Sequence, residues 1–126
     1  MDENYIPKVY AYERVSTFKQ DEQEQDIIIK RYCAAHKMTI DETVIDKGVS
    51  GKIDWTSRAL ADLVAKMNAG DIIIVSEASR LSRSMADFSE FLNVGMRKLK
   101  GRLIVCNMGL DIDCGHLTAI VEIQLQ

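Results

Sequence analysis

The segment Asp71-Ile72-Ile73-Ile74-Val75-Ser76 narrows the fold of this chain more than any other stretch. Four consecutive β-branched residues restrict χ1 against a helical turn and favour extended backbone. A half-exposed strand would alternate apolar and polar positions. An unbroken apolar run instead suits a central strand of a parallel sheet, buried on both faces.

The flanking sequence supplies the remaining layers. Val9-Tyr10-Ala11-Tyr12, just after the single proline Pro7, predicts a strand over residues 8–14. Asp21 and Glu24 stand at capping-box spacing, and Ile28, Tyr32 and Ala35, or Ile29 and Cys33, recur at helical spacing, so a helix is expected over 21–36. Residues 42–46 read as a second strand, followed by the turn-rich Lys47-Gly48-Val49-Ser50-Gly51. Leu60, Leu63, Val64 and Met67 mark a second helix, with Gly70 at its C′ position. Ser84 and Asp87 form another capping pair before a helix carrying Phe88, Phe91, Leu92 and Met96, and Leu103-Ile104-Val105-Cys106 is a fourth strand. Leu117, Ile120, Val121 and Leu125 begin a last helix. This alternation predicts one α/β domain with a mainly parallel sheet of four or five strands flanked by helices. A chain of 126 residues accommodates one such domain and not two.

No apolar run approaches the roughly 18 residues that span a bilayer, and the first residues are acidic, so a soluble cytoplasmic protein is expected. Three cysteines, Cys33, Cys106 and Cys114, suit a reducing compartment and idle thiols. The formal charge of −3 does not by itself announce a nucleic-acid binder. Between Ser79 and Arg102, however, six basic residues face two acidic ones, a local excess of +4, while residues 1–26 hold seven acids.

Sheets of this kind bind ligands beyond the carboxyl ends of their strands. Residues 14–17, 46–51 and 79–83 are therefore expected to be neighbours. Several chemistries are excluded there. No Gly-x-Gly occurs, and Ile53 and Asp46 break the phosphate-loop pattern around Gly51-Lys52. No cysteine is followed within seven residues by the arginine that a cysteine phosphatase requires. Cys106, Cys114 and His116 lack metal-site spacing, Asp111 and Asp113 read as an acidic turn, and His36 reads as a helix C-terminal cap. No metal or other cofactor is expected.

What remains is a hydroxyl among guanidiniums: Tyr12-Glu13-Arg14-Val15-Ser16-Thr17 ends the first strand, and Ser79-Arg80-Leu81-Ser82-Arg83-Ser84 follows the third. Arginine forks match phosphate oxygens and neutralise charge on a pentacovalent transition state, and a nearby serine can attack phosphorus if something takes its proton. The same residues also allow a plainer reading, in which the arginines pair with acids and Ser16 is a turn hydroxyl.

The first hexapeptide resembles the Tyr-x-Arg-Val-Ser-Thr signature of the serine recombinases, the resolvase and DNA-invertase family. Further pieces follow in that family's order over residues 8–122: Gln20 and Gln25, Asp46 to Gly51, Arg58 and Lys66, Gly70-Asp71, and Ser79 to Arg83. The resemblance implies a resolvase-like catalytic domain that recombines DNA at specific sites. Ser16 would attack a phosphodiester, form a 5′-phosphoserine bond, release a 3′ hydroxyl and rejoin strands after exchange, with no cofactor. It further implies that Arg14, Arg80 and Arg83 hold the phosphate, and that Tyr12, Gln20, Gln25, Ser50, Arg58, Lys66 and Ser79 support the site or contact DNA phosphates. Many relatives carry Asp where this chain has Ser79, so an acid/base role at that position does not carry over. The implied partners are double-stranded DNA and further copies of the chain, as a dimer and a synaptic tetramer, in a bacterial or mobile-element setting. The last helix would begin the dimerisation helix, with DNA binding supplied outside these 126 residues and the isolated domain inactive. A non-catalytic signalling module of the same architecture, or a domain that only binds DNA or a partner, is the alternative; a phosphoacceptor module would place acids where Arg14 and Arg80 stand.

Overall fold

The computed structural model describes residues 4–16 and 19–116. Its elements in chain order are β1 (Val9–Val15), α1 (Lys19–Ala35), β2 (Glu42–Lys47), α2 (Ala59–Lys66), β3 (Ile72–Val75), α3 (Met85–Glu90), α4 (Arg97–Leu99), β4 (Arg102–Val105) and β5 (Leu110–Asp113). The strands form one sheet in the order β2-β1-β3-β4-β5. The first four are mutually parallel, and β5 pairs antiparallel with β4.

The apolar run behaves as its composition demands: all four residues of β3 are buried. Side-chain alternation divides the core between the two faces of the sheet. Val9, Ala11, Ile72, Ile74 and Ile104 meet Ile29 and Cys33 of α1 on one face. Tyr10, Tyr12, Ile73, Val75, Leu103 and Val105 meet Leu60 and Leu63 of α2 and Phe91, Leu92 and Met96 on the other. Of the two helical stripes available to α1, the Ile29/Cys33 stripe is buried, while Ile28 is exposed.

Four expectations are corrected. Residues 110–113 are a strand, not an acidic turn: Asp111 and Asp113 point outward around buried Ile112, and Arg102 Nε donates to Asp111 Oδ1 at 2.7 Å. Gly70 does not end α2, which stops at Lys66 with Met67 extended. Gly70 instead takes φ +89 in the turn before β3, where its N–H donates to Lys100 O at 3.0 Å. Asp21 lies inside the first turn of α1, since the helix starts at Lys19, so it does not cap it. The third predicted helix contains a π-helical segment, Phe91–Met96, between α3 and α4. Its expected cap does form, with Ser84 Oγ accepting from Asp87 N at 3.2 Å. The expected helix at Leu117, Ile120, Val121 and Leu125 lies outside the described residues, as does Thr17.

One buried group sets a pH dependence. Glu13 projects from β1 toward α1, is fully buried, and neither of its carboxylate oxygens makes a well-formed hydrogen bond. Burial, reinforced by the nearby carboxyls of Asp26 and Glu22, pushes its pKa up to about 9. The folded protein therefore keeps a proton on Glu13 that the unfolded chain releases near pH 4.5. Between those values stability falls as pH rises, by at most about 1.4 kcal/mol per pH unit from this group. Glu13→Gln removes that slope. Thermal unfolding of parent and variant should nearly coincide near pH 4.5 and separate toward pH 8, with the variant the more stable.

Candidate active site

The carboxyl ends of β1, β2 and β3 lie side by side, Arg14 level with Asp46, so the loops that leave them share one edge of the sheet. Arg14 ties them together. Only 5% exposed, it donates from Nη1 to Val49 O at 3.1 Å and from Nη2 to Ser79 O at 2.8 Å. The two carbonyls accept from Nη1 and Nη2 without neutralising the charge, and the buried Nε has no hydrogen-bond partner among the described residues. Burial, followed by the proximity of Arg83, Arg80 and Arg58, pulls its pKa below the ordinary arginine value, the signature of a crowded cation.

Arg80 closes the site from the β3 side. Its Nη1 donates to Arg14 O at 3.1 Å, its Nη2 to Asp21 Oδ1 at 2.9 Å, and its Nε lies 2.9 Å from Glu77 Oε1. The guanidinium of Arg83 has no hydrogen-bond or carboxylate partner among the described residues; its backbone N–H donates to Gly51 O at 3.2 Å. Gly51 is required by that approach, since a Cβ there would lie 2.9 Å from both Arg14 Nη2 and Arg83 Cγ. Ser16 is exposed at the rim, with its backbone N–H donating to Asp21 Oδ2 at 2.9 Å. Arg14, Ser16, Asp21, Ser50, Arg80 and Arg83 line an open cleft of about 450 Å³.

A second tier lies beneath. Tyr12 is fully buried and donates to Asp46 Oδ2 at 2.6 Å, and both burial and that carboxylate push its phenol pKa upward. Arg58 donates from Nη1 to Tyr12 OH at 3.3 Å and to Arg80 O at 3.2 Å, and from Nη2 to Leu81 O. Its Nη2 also lies 3.7 Å from Asp87 Oδ2. Gln25 is buried behind the cleft and donates to Arg14 O at 3.1 Å. These residues fix the arginine-bearing backbone and do not face the opening.

The remaining candidates separate. Ser50 is exposed on the cleft wall, and its Oγ accepts from Lys52 N at 3.1 Å. Ser79 contributes its carbonyl to Arg14. Gln20 is exposed and donates to Glu24 Oε1 along α1 at 3.3 Å. Lys66 lies at the opposite edge, with its Nζ 2.8 Å from both Glu42 oxygens. Since Glu42 is level with Tyr10, it stands four residues along the strand from Arg14, roughly 13 Å away. The basic excess of residues 79–102 likewise divides: Arg80 and Arg83 line the cleft, whereas Arg102 pairs with Asp111 at the amino edge. Two contributors escape a reading of the sequence: Asp21, whose spacing imitates a cap, and Glu77, three residues before Arg80.

A larger depression, about 630 Å³, lies at that amino edge beside Tyr32, His36, Lys37 and Arg102. Its polar groups are largely engaged: Arg102 with Asp111, Asp41 with Val9 N, and His36 Nδ1 2.9 Å from Tyr32 O. The carboxyl edge, with its uncompensated arginines, is the chemically poised one.

The chain resembles known proteins over nearly its whole length. The family described as "Resolvase, N terminal domain" matches residues 9–123. The N-terminal catalytic domain of TP901-1 integrase is 29% identical, with a TM-score of 0.72 over 94% of this chain and 96% of that one. A resolvase family site-specific recombinase from Streptococcus pneumoniae is 24% identical and shares the fold with a TM-score of 0.65, over 95% of this chain and 89% of its own. The C-terminal catalytic domain of ISC1926 TnpA, an IS607-like serine recombinase, is 23% identical with a TM-score of 0.60, over 78% of this chain and 68% of its own. No curated protein sequence matches the chain. With a family match over nearly all of its residues and this fold, the chain belongs to the resolvase N-terminal domain family of serine recombinase catalytic domains.

Proposed function

We propose that the chain cleaves and rejoins DNA by transesterification at a specific site, with Ser16 as nucleophile and the arginine cleft as the seat of the scissile phosphate. The observation that carries this reading is the crowd of guanidiniums beside Ser16. Arg14 is buried with carbonyl acceptors, and the Arg83 guanidinium has no hydrogen-bond or carboxylate partner among the described residues. A phosphodiester placed there relieves repulsion among like charges, and the gain grows as negative charge builds on its oxygens in the transition state.

In the step itself, the Ser16 Oγ–P bond forms as the P–O3′ bond breaks. The proton leaves Ser16 Oγ, and the 3′ oxygen departs as a hydroxyl. The bond count is unchanged, so the 3′ hydroxyl of an exchanged strand can attack the phosphoserine and restore the DNA. Arg80 and Arg83 meet the phosphate. Arg14 supplies charge and holds the loops, and Tyr12, Gln25, Arg58 and Ser79 keep the arginines in place. Ser50 lines the cleft, Gln20 bonds Glu24 along α1, and Lys66 acts as a structural ion pair.

Family membership implies a DNA substrate and oligomeric assembly in general. Our reading adds double-stranded recombination sites, a dimer and a synaptic tetramer. No helix among the described residues is long and apolar enough to cross a membrane. The overall charge of −3 supports a division of labour in which this domain grips one phosphate and other residues supply most of the DNA affinity.

The direct test uses the protein containing this chain and a nicked DNA recombination site that traps the covalent intermediate. Ser16→Ala should abolish the adduct while DNA binding persists; an adduct formed by the folded variant overturns the assignment. Arg80→Ala should slow cleavage by about a hundredfold or more, as loss of one transition-state donor does. Gly51→Ala drives a methyl into Arg14 and Arg83, and should slow cleavage at least roughly tenfold through misplacement of the cleft, at a stability cost of about 1–3 kcal/mol. Single-turnover rates and thermal unfolding check both.

A further inference from the structure

Asp21 is the only acid among the described residues that line the cleft. Its two oxygens meet the donors that a phosphodiester would need. Oδ1 accepts from Arg80 Nη2 at 2.9 Å, while Oδ2 lies 3.4 Å from Arg80 Nη1 and accepts from the Ser16 N–H at 2.9 Å. A planar carboxylate thus faces a planar guanidinium fork, as two non-bridging phosphate oxygens would.

The rest of the Arg80 guanidinium also faces protein oxygens. Nε faces Glu77 at 2.9 Å, and Nη1 donates to Arg14 O at 3.1 Å. The Nη1/Nη2 edge that would grip a phosphate bidentately is thus held by Asp21, while Nε is paired with Glu77 by charge and makes no hydrogen bond among the described residues. The pair is also shielded, with the Arg80 and Asp21 side chains 17% and 19% exposed, so salt screens it less than a surface ion pair.

We propose that Asp21 is a built-in anion occupying the phosphate seat on Arg80 and the Ser16 amide, and that DNA phosphate must displace it before Arg80 can act. This rests on the cleft being the phosphate site. Although partial burial pushes the other way, the Ser16 amide and Arg80 hold the Asp21 carboxyl below its ordinary pKa. It is therefore ionised at neutral pH, and the exchange is a competition between anions rather than a proton switch. The arrangement disfavours stray phosphates and leaves the nucleophile's backbone tied to the arginine until DNA arrives.

Binding of a short fluorescent DNA duplex of arbitrary sequence to the 126-residue chain, at low salt, tests the proposal through a double-mutant cycle. Asp21→Asn should bind roughly five- to tenfold tighter than the parent, since a competing charge-assisted contact is lost. In an Arg80→Ala background the same change should have less than about a twofold effect, because the gain runs through Arg80. Equal tightening in both backgrounds would reduce Asp21 to one more negative charge and overturn the proposal. So would unchanged or weaker binding by a variant with parental circular dichroism and melting temperature. If Asp21→Asn does not fold, Asp21→Ser is read in the same cycle. Should Arg80→Ala leave the parent's binding unaltered, the cleft is not the phosphate seat, and both readings fall together.

Discussion

The two bonds from Arg14 to the Val49 and Ser79 carbonyls close the carboxyl edge of the sheet. They join loops that leave β2 and β3 to the end of β1, and they do so with main-chain acceptors. A carboxylate in either position would satisfy the same hydrogens and cancel the charge. Carbonyls leave the charge in place, partly desolvated, where its field is weakly screened. Because Arg14 O also accepts from Arg80 and Gln25, one residue organises both the cleft and the floor beneath it.

That arrangement carries a cost, visible in the depressed arginine pKa, and the fold meets it with a graded set of partners. Arg58 is locked among Tyr12, the carbonyls of residues 80 and 81, and the more distant Asp87. Arg80 is neutralised by Asp21 and Glu77. The Arg83 guanidinium lines the cleft without a hydrogen-bond or carboxylate partner among the described residues. The gradient runs from buried and fixed to exposed and available, so the framework arginines hold the loops while the outer ones can change partners. Tyr12, Asp46 and the Ala59 N–H extend the framework across the sheet to the start of α2.

How much of this is legible in the sequence depends on whether the signal is local. The β-branched run at 72–75 declares a central strand, and the strand and helix alternation then brings residues 14–16, 46–51 and 79–83 to one edge. Arg14 two residues before Ser16, and Arg80 three before Arg83, show their chemistry in the primary sequence alone. The failures are equally physical. Lys66 shares a helix with the residues that follow Arg58, but eight residues of helix carry it roughly 12 Å toward the opposite edge, where Glu42 takes it. Strand β5 is hidden because its outward Asp111 and Asp113 resemble a turn until Arg102 is known to lie beside them. Asp21 imitates a cap because a carboxylate near a helix start has that role by default; its partner Arg80 is 59 residues away and leaves no local trace. Glu13, between two signature residues, gives no sign in the sequence that it is buried without a well-formed hydrogen bond.

The proposed phosphate seat lies at the carboxyl edge, among Arg14, Arg80 and Arg83. Guanidinium Nε–Hε resonances, followed by NMR while a DNA duplex is titrated into the chain, test it most directly. Arg80 and Arg83 should move first and furthest, Arg14 should follow, and Arg102 at the amino edge should stay still. Perturbation centred on Arg102 and its neighbours, with the cleft arginines unmoved, would contradict it.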